Sequence, residues 1–126
     1  MKWSVPADSM HCRIERIGRD WMIVLTGGLE KQDHHIGAAT IAYRDHDSTA
    51  DNVKWSLMTQ GIPGHKESII TETLALEAAQ MLEPYGGNIM LTAGIHYEAL
   101  TKEQIDIVVQ AAHQLLHDQL QQVCVP

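Results

Sequence analysis

Three of the eight histidines in this chain, His35, His65 and His96, stand beside glycines at points where the hydropathy pattern changes. An imidazole at such a junction can move a proton near neutral pH, bind an anion or ligate a metal. The segment Gly61-Ile62-Pro63-Gly64-His65-Lys66-Glu67-Ser68 joins a strand pattern to the start of a helical one. A helix N-terminus presents unpaired N–H groups and a partial positive charge, so this position suits a phosphate or a carboxylate. Gly61 and Gly64 let backbone come close to such an anion, and His65 and Lys66 add donors. The GxxxxGK[ST] spacing of a nucleotide P-loop is missing. A Pro-Gly turn that merely starts a helix is the simpler account of this string taken alone.

Gly94-Ile95-His96 has the same kind of place, after a strand pattern and before the last helix. Ligand sites of open α/β sheets gather at the carboxyl ends of strands, so the two segments converge if their strands are adjacent and parallel. His35 precedes the third strand. If that strand runs antiparallel to the fourth, all three histidines share one end of the sheet and one pocket. Such a pocket can hold zinc, with water completing a tetrahedron, and Glu67 or Glu98 can add a carboxylate. No HExxH or similar close pair marks the set as a metal site, so the metal set His35, His65, His96 stays open. His113 and His117 are four apart on the last helix and share a face, which reads as solvated surface. His11, His34 and His46 have no constellation around them.

Nucleophilic catalysis has little support. The chain lacks a Gly-x-Ser-x-Gly elbow, and neither Cys12 nor Cys124 has a neighbouring His and glycine-rich turn to activate it. The two cysteines lie near opposite ends of the chain and form no spaced metal or redox pair, so both are expected as reduced thiols. The chain reads as a holder of something and no enzyme.

The elements that must position these residues follow from periodicity. Met10 to Ile17 alternates as a half-exposed strand, and a turn at residues 18–20 leads to an apolar run, 21–25, that suits a central strand buried on both faces. Gly27-Gly28 ends it. Residues 36–43 form a strand rich in small side chains, where another backbone, a helix or a ligand comes close. Residues 44–52 are a polar, acidic loop, and 53–59 alternate as a fourth strand. The period then changes: Ile70, Leu74, Ala78, Met81 and Leu82 fall on one helical stripe that stops at Pro84. Residues 88–93 are the fifth strand and 94–98 a loop. Thr101 and Gln104 have capping-box spacing ahead of a helix carrying Ile105, Val108, Val109, Ala112, Leu116 and Leu120. The fold class is therefore α/β (α+β): a mixed five-stranded sheet in the order β-β-β-β-α-β-α, two helices packed on one face, and at least one parallel pair joined by a right-handed crossover.

At 126 residues without a linker-like stretch, one domain over 1–126 is the expected organisation. A composition 44% hydrophobic and 20% charged supplies a core. Sixteen acidic against nine basic residues give a net charge of -7, which repels phosphate backbones and anionic lipid, so nucleic acid and membrane surfaces are poor partners. No apolar run has signal-peptide or membrane-span character, which points to a cytoplasmic location. Six methionines and three tryptophans, with no phenylalanine, read as core filling. If the second strand is apolar on both sides, the sheet face without helices needs cover as well, so a homo-oligomer is expected.

Gly27-Gly28, His35-Ile36-Gly37-Ala38, Pro63-Gly64-His65-Lys66-Glu67 and Thr92-Ala93-Gly94-Ile95-His96, in this order and spacing, resemble the LpdD-like family of prenylated flavin chaperones over about residues 10 to 120. The resemblance implies an accessory D subunit of a UbiD-type, gallate-type aromatic acid decarboxylase. Such a subunit binds prenylated FMN (or FMN) and supports its delivery or maturation, with the decarboxylase catalytic subunit and a flavin prenyltransferase as partners. It implies cofactor-binding positions at His35, Gly37, Gly61, Gly64, His65, Lys66, Gly94 and His96, with the phosphate at His65 and the backbone of residues 61–64. His35 and His96 would then meet the ring edge, the phosphate or a bridging divalent metal. Two other readings compete: a small metal-dependent enzyme built on the three histidines, and an interaction subunit that stabilises a decarboxylase without touching cofactor.

Overall fold

The computed structural model describes residues 3–124. Strands β1 (Met10–Ile17), β2 (Asp20–Gly28), β3 (Ala38–Arg44) and β4 (Trp55–Gly61) precede helix α1 (Ser68–Leu82), which is followed by β5 (Ile89–His96) and helix α2 (Lys102–Cys124). The sheet order is β1-β2-β5-β3-β4. Only β2 and β5 run parallel as neighbours; the other three pairs are antiparallel. The crossover through α1 starts from β4, and β3 lies between β4 and β5, so the parallel partner of β5 is β2.

This topology decides where the chemistry sits. The carboxyl ends of β2, β4 and β5 and the start of β3 meet at one edge of the sheet, with Gly28 opposite His96, Ala38 opposite Gly61, and Ala38 opposite Ala93. His35, His65 and His96 therefore lie at a common end, as the strand directions required.

Both helices cover one face. Trp21, Ile23 and Leu25 of β2, Ile89, Leu91 and Ala93 of β5, and Ala38 and Ala42 of β3 are buried beneath them. The small residues of β3 meet Ala75, Ala78 and Ala79 of α1, so the expected close approach is that of a helix. At the same interface Thr40 Oγ1 donates to Thr71 Oγ1 at 2.9 Å and pairs with Thr59 Oγ1 at 2.8 Å, while Thr71 donates to the Ser68 carbonyl at 3.3 Å. Chained hydroxyls of this kind let a helix and a sheet share buried polar atoms without an unsatisfied donor.

Four expectations need correction. The apolar run in β2 is buried on the helix side alone, because both helices pack on that one face of the sheet; Met22 and Val24 are half-buried on the open face. That face also carries Ile41, Met58 and Met90. Gly27-Gly28 ends β2, as the pattern placed it, but residues 94–96 are not a loop: the parallel ladder runs on through Thr26–Gly94, Gly27–Ile95 and Gly28–His96. The fourth strand begins at Trp55, after a bridge between Thr49 and Asn52 closes the preceding loop. Ile105 belongs to no buried stripe and is 48% exposed. The capping box of α2 is present, with Gln104 N–H donating to Thr101 Oγ1 at 3.2 Å and Thr101 N–H to Gln104 Oε1 at 2.8 Å. No helix among the described residues is long and apolar enough to cross a membrane.

Candidate functional site

The chain enters α1 through a tight turn. His65 N–H donates to the Ile62 carbonyl at 3.0 Å across Pro63 and Gly64, and Gly64 has φ +86. Proline at the second position and a left-handed glycine at the third are the signature of a type II turn. Gly64 is thus explained by the turn, whose effect is to hold His65 at the sheet edge. Ile62 N–H donates to the Gly37 carbonyl at 2.8 Å and Gly37 N–H to the Ala93 carbonyl at 2.8 Å, so the segment before β3 is pinned between the ends of β4 and β5. Gly94 is a glycine for a steric reason: a β-carbon there would overlap the carbonyl of His35.

Glu67, at the N-cap of α1, makes no capping hydrogen bond with its side chain. The carboxylate turns instead toward two histidines. His35 Nε2 lies 3.4 Å from Glu67 Oε1, His65 Nδ1 lies 3.7 Å from Oε2, and the two imidazole nitrogens are 3.2 Å apart. Ile95 N–H reaches Oε1 at 3.5 Å. The Glu67 side chain is only 10% exposed, and its Oε2 has no hydrogen-bond partner among the described residues. His35 Nδ1 is 2.6 Å from the carbonyl of Asp33. A carbonyl only accepts, so Nδ1 carries the proton and, in the neutral ring, the lone pair of Nε2 faces Glu67 and His65.

Beside this group lies an apolar cavity of about 300 Å³ lined by Ile70, Ile95, Tyr97, Leu100, Ile105, Val108 and Val109, with Lys66, Glu67 and His96 at its polar side. A second cavity of about 480 Å³ adjoins it, sharing His96, Tyr97 and Leu100. Here the exposure of Ile105 has its reason: the first turn of α2 stands over a hollow that the protein does not fill.

Of the residues singled out from sequence, His35 and His65 come together, with Gly37 against Glu67 and Gly61 against Ser68. Lys66 and His96 line the neighbouring cavity. His96 is outside the group of donor atoms lying within 4.8 Å of one another, where Glu67 takes the third place. The continuation of β5 through His96 carries that residue out to the rim. His34 and His11, read as isolated, are a pair with ring centroids 5.6 Å apart, and His34 bonds Thr26 Oγ1 and the Gly28 carbonyl, each at 2.9 Å. His113 pairs with Glu77 of α1 at 2.8 Å. Both cysteines are free thiols, and burial pushes Cys12 up to about 11.

Two imidazoles and a buried carboxylate can hold a divalent cation or pass a proton; an adjoining apolar hollow with a lysine on its edge can take a flat anionic molecule. Comparison with known proteins bears on which molecule. A family model described as a prenylated flavin chaperone LpdD-like domain matches residues 6–124. Protein LpdD of Lactiplantibacillus plantarum is 34% identical over 98 residues, a match that takes in 76% of this chain and 63% of that relative's length.

Proposed function

The chain belongs to the LpdD-like family of prenylated flavin chaperones, and on that footing we propose that it binds prenylated FMN and hands it to a UbiD-type aromatic acid decarboxylase without itself catalysing decarboxylation. The observation that carries this reading is the apolar cavity of about 300 Å³ with Lys66 and His96 on its rim, next to His35, His65 and Glu67. A prenylated flavin has a broad apolar ring system and one phosphate. The cavity's Ile, Leu and Val side chains suit the first, and Lys66, His65 and the first turn of α1 suit the second. The ring would be held by Ile70, Ile95, Leu100, Ile105, Val108 and Val109, and the phosphate by Lys66, His65 and the backbone of residues 61–64. His35, Gly37, Gly94 and His96 shape the edge between the two.

The bound group would be cargo, its chemistry carried out in the decarboxylase. A holder of this kind must bind and release, and an open cavity at a sheet edge, closed by half-exposed residues such as Ile105, agrees with that need. The decarboxylase catalytic subunit is the expected acceptor and a flavin prenyltransferase the expected donor. Self-association falls to the open sheet face, where Met22, Val24, Ile41, Met58 and Met90 form one apolar surface that a second copy would cover.

Co-expression with a flavin prenyltransferase, followed by gel filtration and a visible spectrum of the protein peak, tests the reading. Co-eluting prenylated flavin, transferable to an apo-decarboxylase with gain of activity, is the expected result. A colourless peak, or turnover of an aromatic acid by the isolated chain, would overturn it.

A further inference from the structure

We infer that His35, His65 and Glu67 form a binding site for a single first-row divalent transition cation, with zinc as the reference ion. Four observations converge on it. The first is spacing: ligands about 2.0 to 2.2 Å from a tetrahedral centre lie about 3.3 to 3.6 Å from one another; here the two imidazole nitrogens are 3.2 Å apart, they approach the carboxylate at 3.4 Å (Oε1) and 3.7 Å (Oε2), and one donor atom from each residue lies within 4.8 Å of the others. The two contacts to the carboxylate are longer than the 2.7 to 2.9 Å or so of a charge-assisted hydrogen bond. The side chains surround a point and do not close on each other.

The second observation is the orphaned oxygen. Glu67 is nine-tenths buried, and its Oε2 has no hydrogen-bond partner among the described residues although two imidazoles face the carboxylate. An unpaired buried carboxylate oxygen is costly, and a cation removes the cost. The third is orientation: the bond from His35 Nδ1 to the Asp33 carbonyl fixes the ring so that Nε2 offers its lone pair, which is how ligating histidines are commonly held. The fourth is a cradle. A β-carbon on Gly37 would overlap the Glu67 carboxylate, so glycine there leaves room for the ligand.

The donor set selects the ion. Two imidazole nitrogens and one carboxylate favour zinc, cobalt, manganese or iron over calcium and magnesium, which prefer oxygen ligands throughout. Three protein ligands leave at least one position for water or an anionic oxygen, and His65, 39% exposed, leaves a way in from solvent. This assignment rests on the side chains alone and holds whether or not a flavin binds. If one does, the cation also answers an electrostatic difficulty, since a phosphate at His65 would otherwise face an uncompensated carboxylate.

The test uses the full chain, stripped with a chelator and desalted, then titrated with zinc by calorimetry and with cobalt by its visible ligand-field bands, without flavin. Binding of one ion per chain is expected, weakened at least tenfold in Glu67→Gln and in His35→Gln and unchanged in His113→Ala, which removes the other His–Glu pair. Far-UV circular dichroism verifies the folds, and His65→Ala, at an exposed position, supplies a folded loss variant if a buried one fails. Absence of saturable binding in the native chain would overturn the assignment. So would binding that survives Glu67→Gln and His65→Ala, or binding lost in His113→Ala.

Discussion

Gly37 and Glu67 compete for one volume: the position of a β-carbon on Gly37 is taken by Oε2 of the Glu67 carboxylate. Gly94 stands in a similar relation to His35, except that the obstacle is a backbone carbonyl. The difference separates a site lesion from a folding lesion. A carboxylate at the end of a rotatable side chain can swing aside, whereas backbone pinned by hydrogen bonds cannot. Gly37→Ala is therefore expected to lower cation affinity at least tenfold with a small change in melting temperature. Gly94→Ala is expected to cost about 1 to 3 kcal/mol of stability, the range for overpacking. Urea denaturation and metal titration of both variants give the comparison.

Thr40 and Thr71 are fully buried and linked by hydroxyl hydrogen bonds that the apolar core around them cannot replace. Thr71→Val should destabilise by about 1 to 2 kcal/mol by leaving Thr40 short of a partner. The double replacement with Thr40→Val should cost less than the two single changes added together, because no fully buried hydroxyl is then stranded and the half-buried Thr59 alone loses a partner. Denaturant midpoints of the three variants and the native chain complete the cycle.

How far the sequence foretold this arrangement depended on the period of each segment. Alternation in β1 and the capping box at Thr101 and Gln104 are local signals, and both elements lie where the pattern placed them. The strand directions followed from element order, and they carried His35, His65 and His96 to one edge. One glycine misled. Gly27-Gly28 does end β2, but Gly94 looks like a strand end and instead continues the parallel pairing, where it makes room for the carbonyl of His35. Extending β5 to His96 takes that residue to the rim, and Glu67, named only as an auxiliary carboxylate, occupies the third position. Nothing local marks Glu67, since an acidic residue at a helix start is ordinarily explained by the helix dipole. The uncovered hollow under Ile105 was equally illegible, because periodicity shows which face is apolar and not whether protein fills the space opposite.

Burial pushes the Cys12 thiol up from 9.0 to about 11, which sets the direction of a pH effect. The folded chain resists ionising this group and the unfolded chain does not. The neutral thiol therefore has no effect on the pH profile below about pH 9, and stability falls as pH rises from 9 toward 11. The informative quantity is the difference between the native chain and Cys12→Ala. That variant should begin less stable, having lost packing beside the core, and should lose less between pH 9 and pH 11. Urea unfolding at the two pH values measures both slopes, and parallel slopes would remove the thiol from the account.

Ile105 is apolar, 48% exposed and on the wall of the cavity, so its side chain is available to a ligand at little cost to the fold. Ile105→Asp should leave the melting temperature within about 2 °C of the native value, the usual scale of a surface change below 0.5 kcal/mol. It should weaken binding of FMN and riboflavin alike, because it spoils the surface offered to the ring. Fluorescence quenching of each flavin on titration with protein reads this directly. A variant that binds both as well as the native chain would move the ring out of this cavity.

The phosphate contributes separately, and FMN against riboflavin isolates it, since the two share the ring and differ in that one group. In a chain of net charge -7 the long-range field opposes an anion, so preference for FMN has to come from donors close at hand. Lys66 borders the cavity, and Gly64, with φ +86, holds the turn that sets His65 beside it. Charge-assisted hydrogen bonds contribute about 1.5 to 3 kcal/mol each, so one or two amount to roughly tenfold or more in affinity. FMN is accordingly expected to bind at least tenfold more tightly than riboflavin. Lys66→Met should shrink that ratio while leaving riboflavin unchanged. Replacing Gly64 by proline, whose φ near -65° is incompatible with the turn, should shrink it further by releasing His65. His117→Ala, on the far part of α2, should alter neither ligand. Equal affinities for FMN and riboflavin in the native chain would mean that the phosphate stays in solvent and that the start of α1 takes no part in binding.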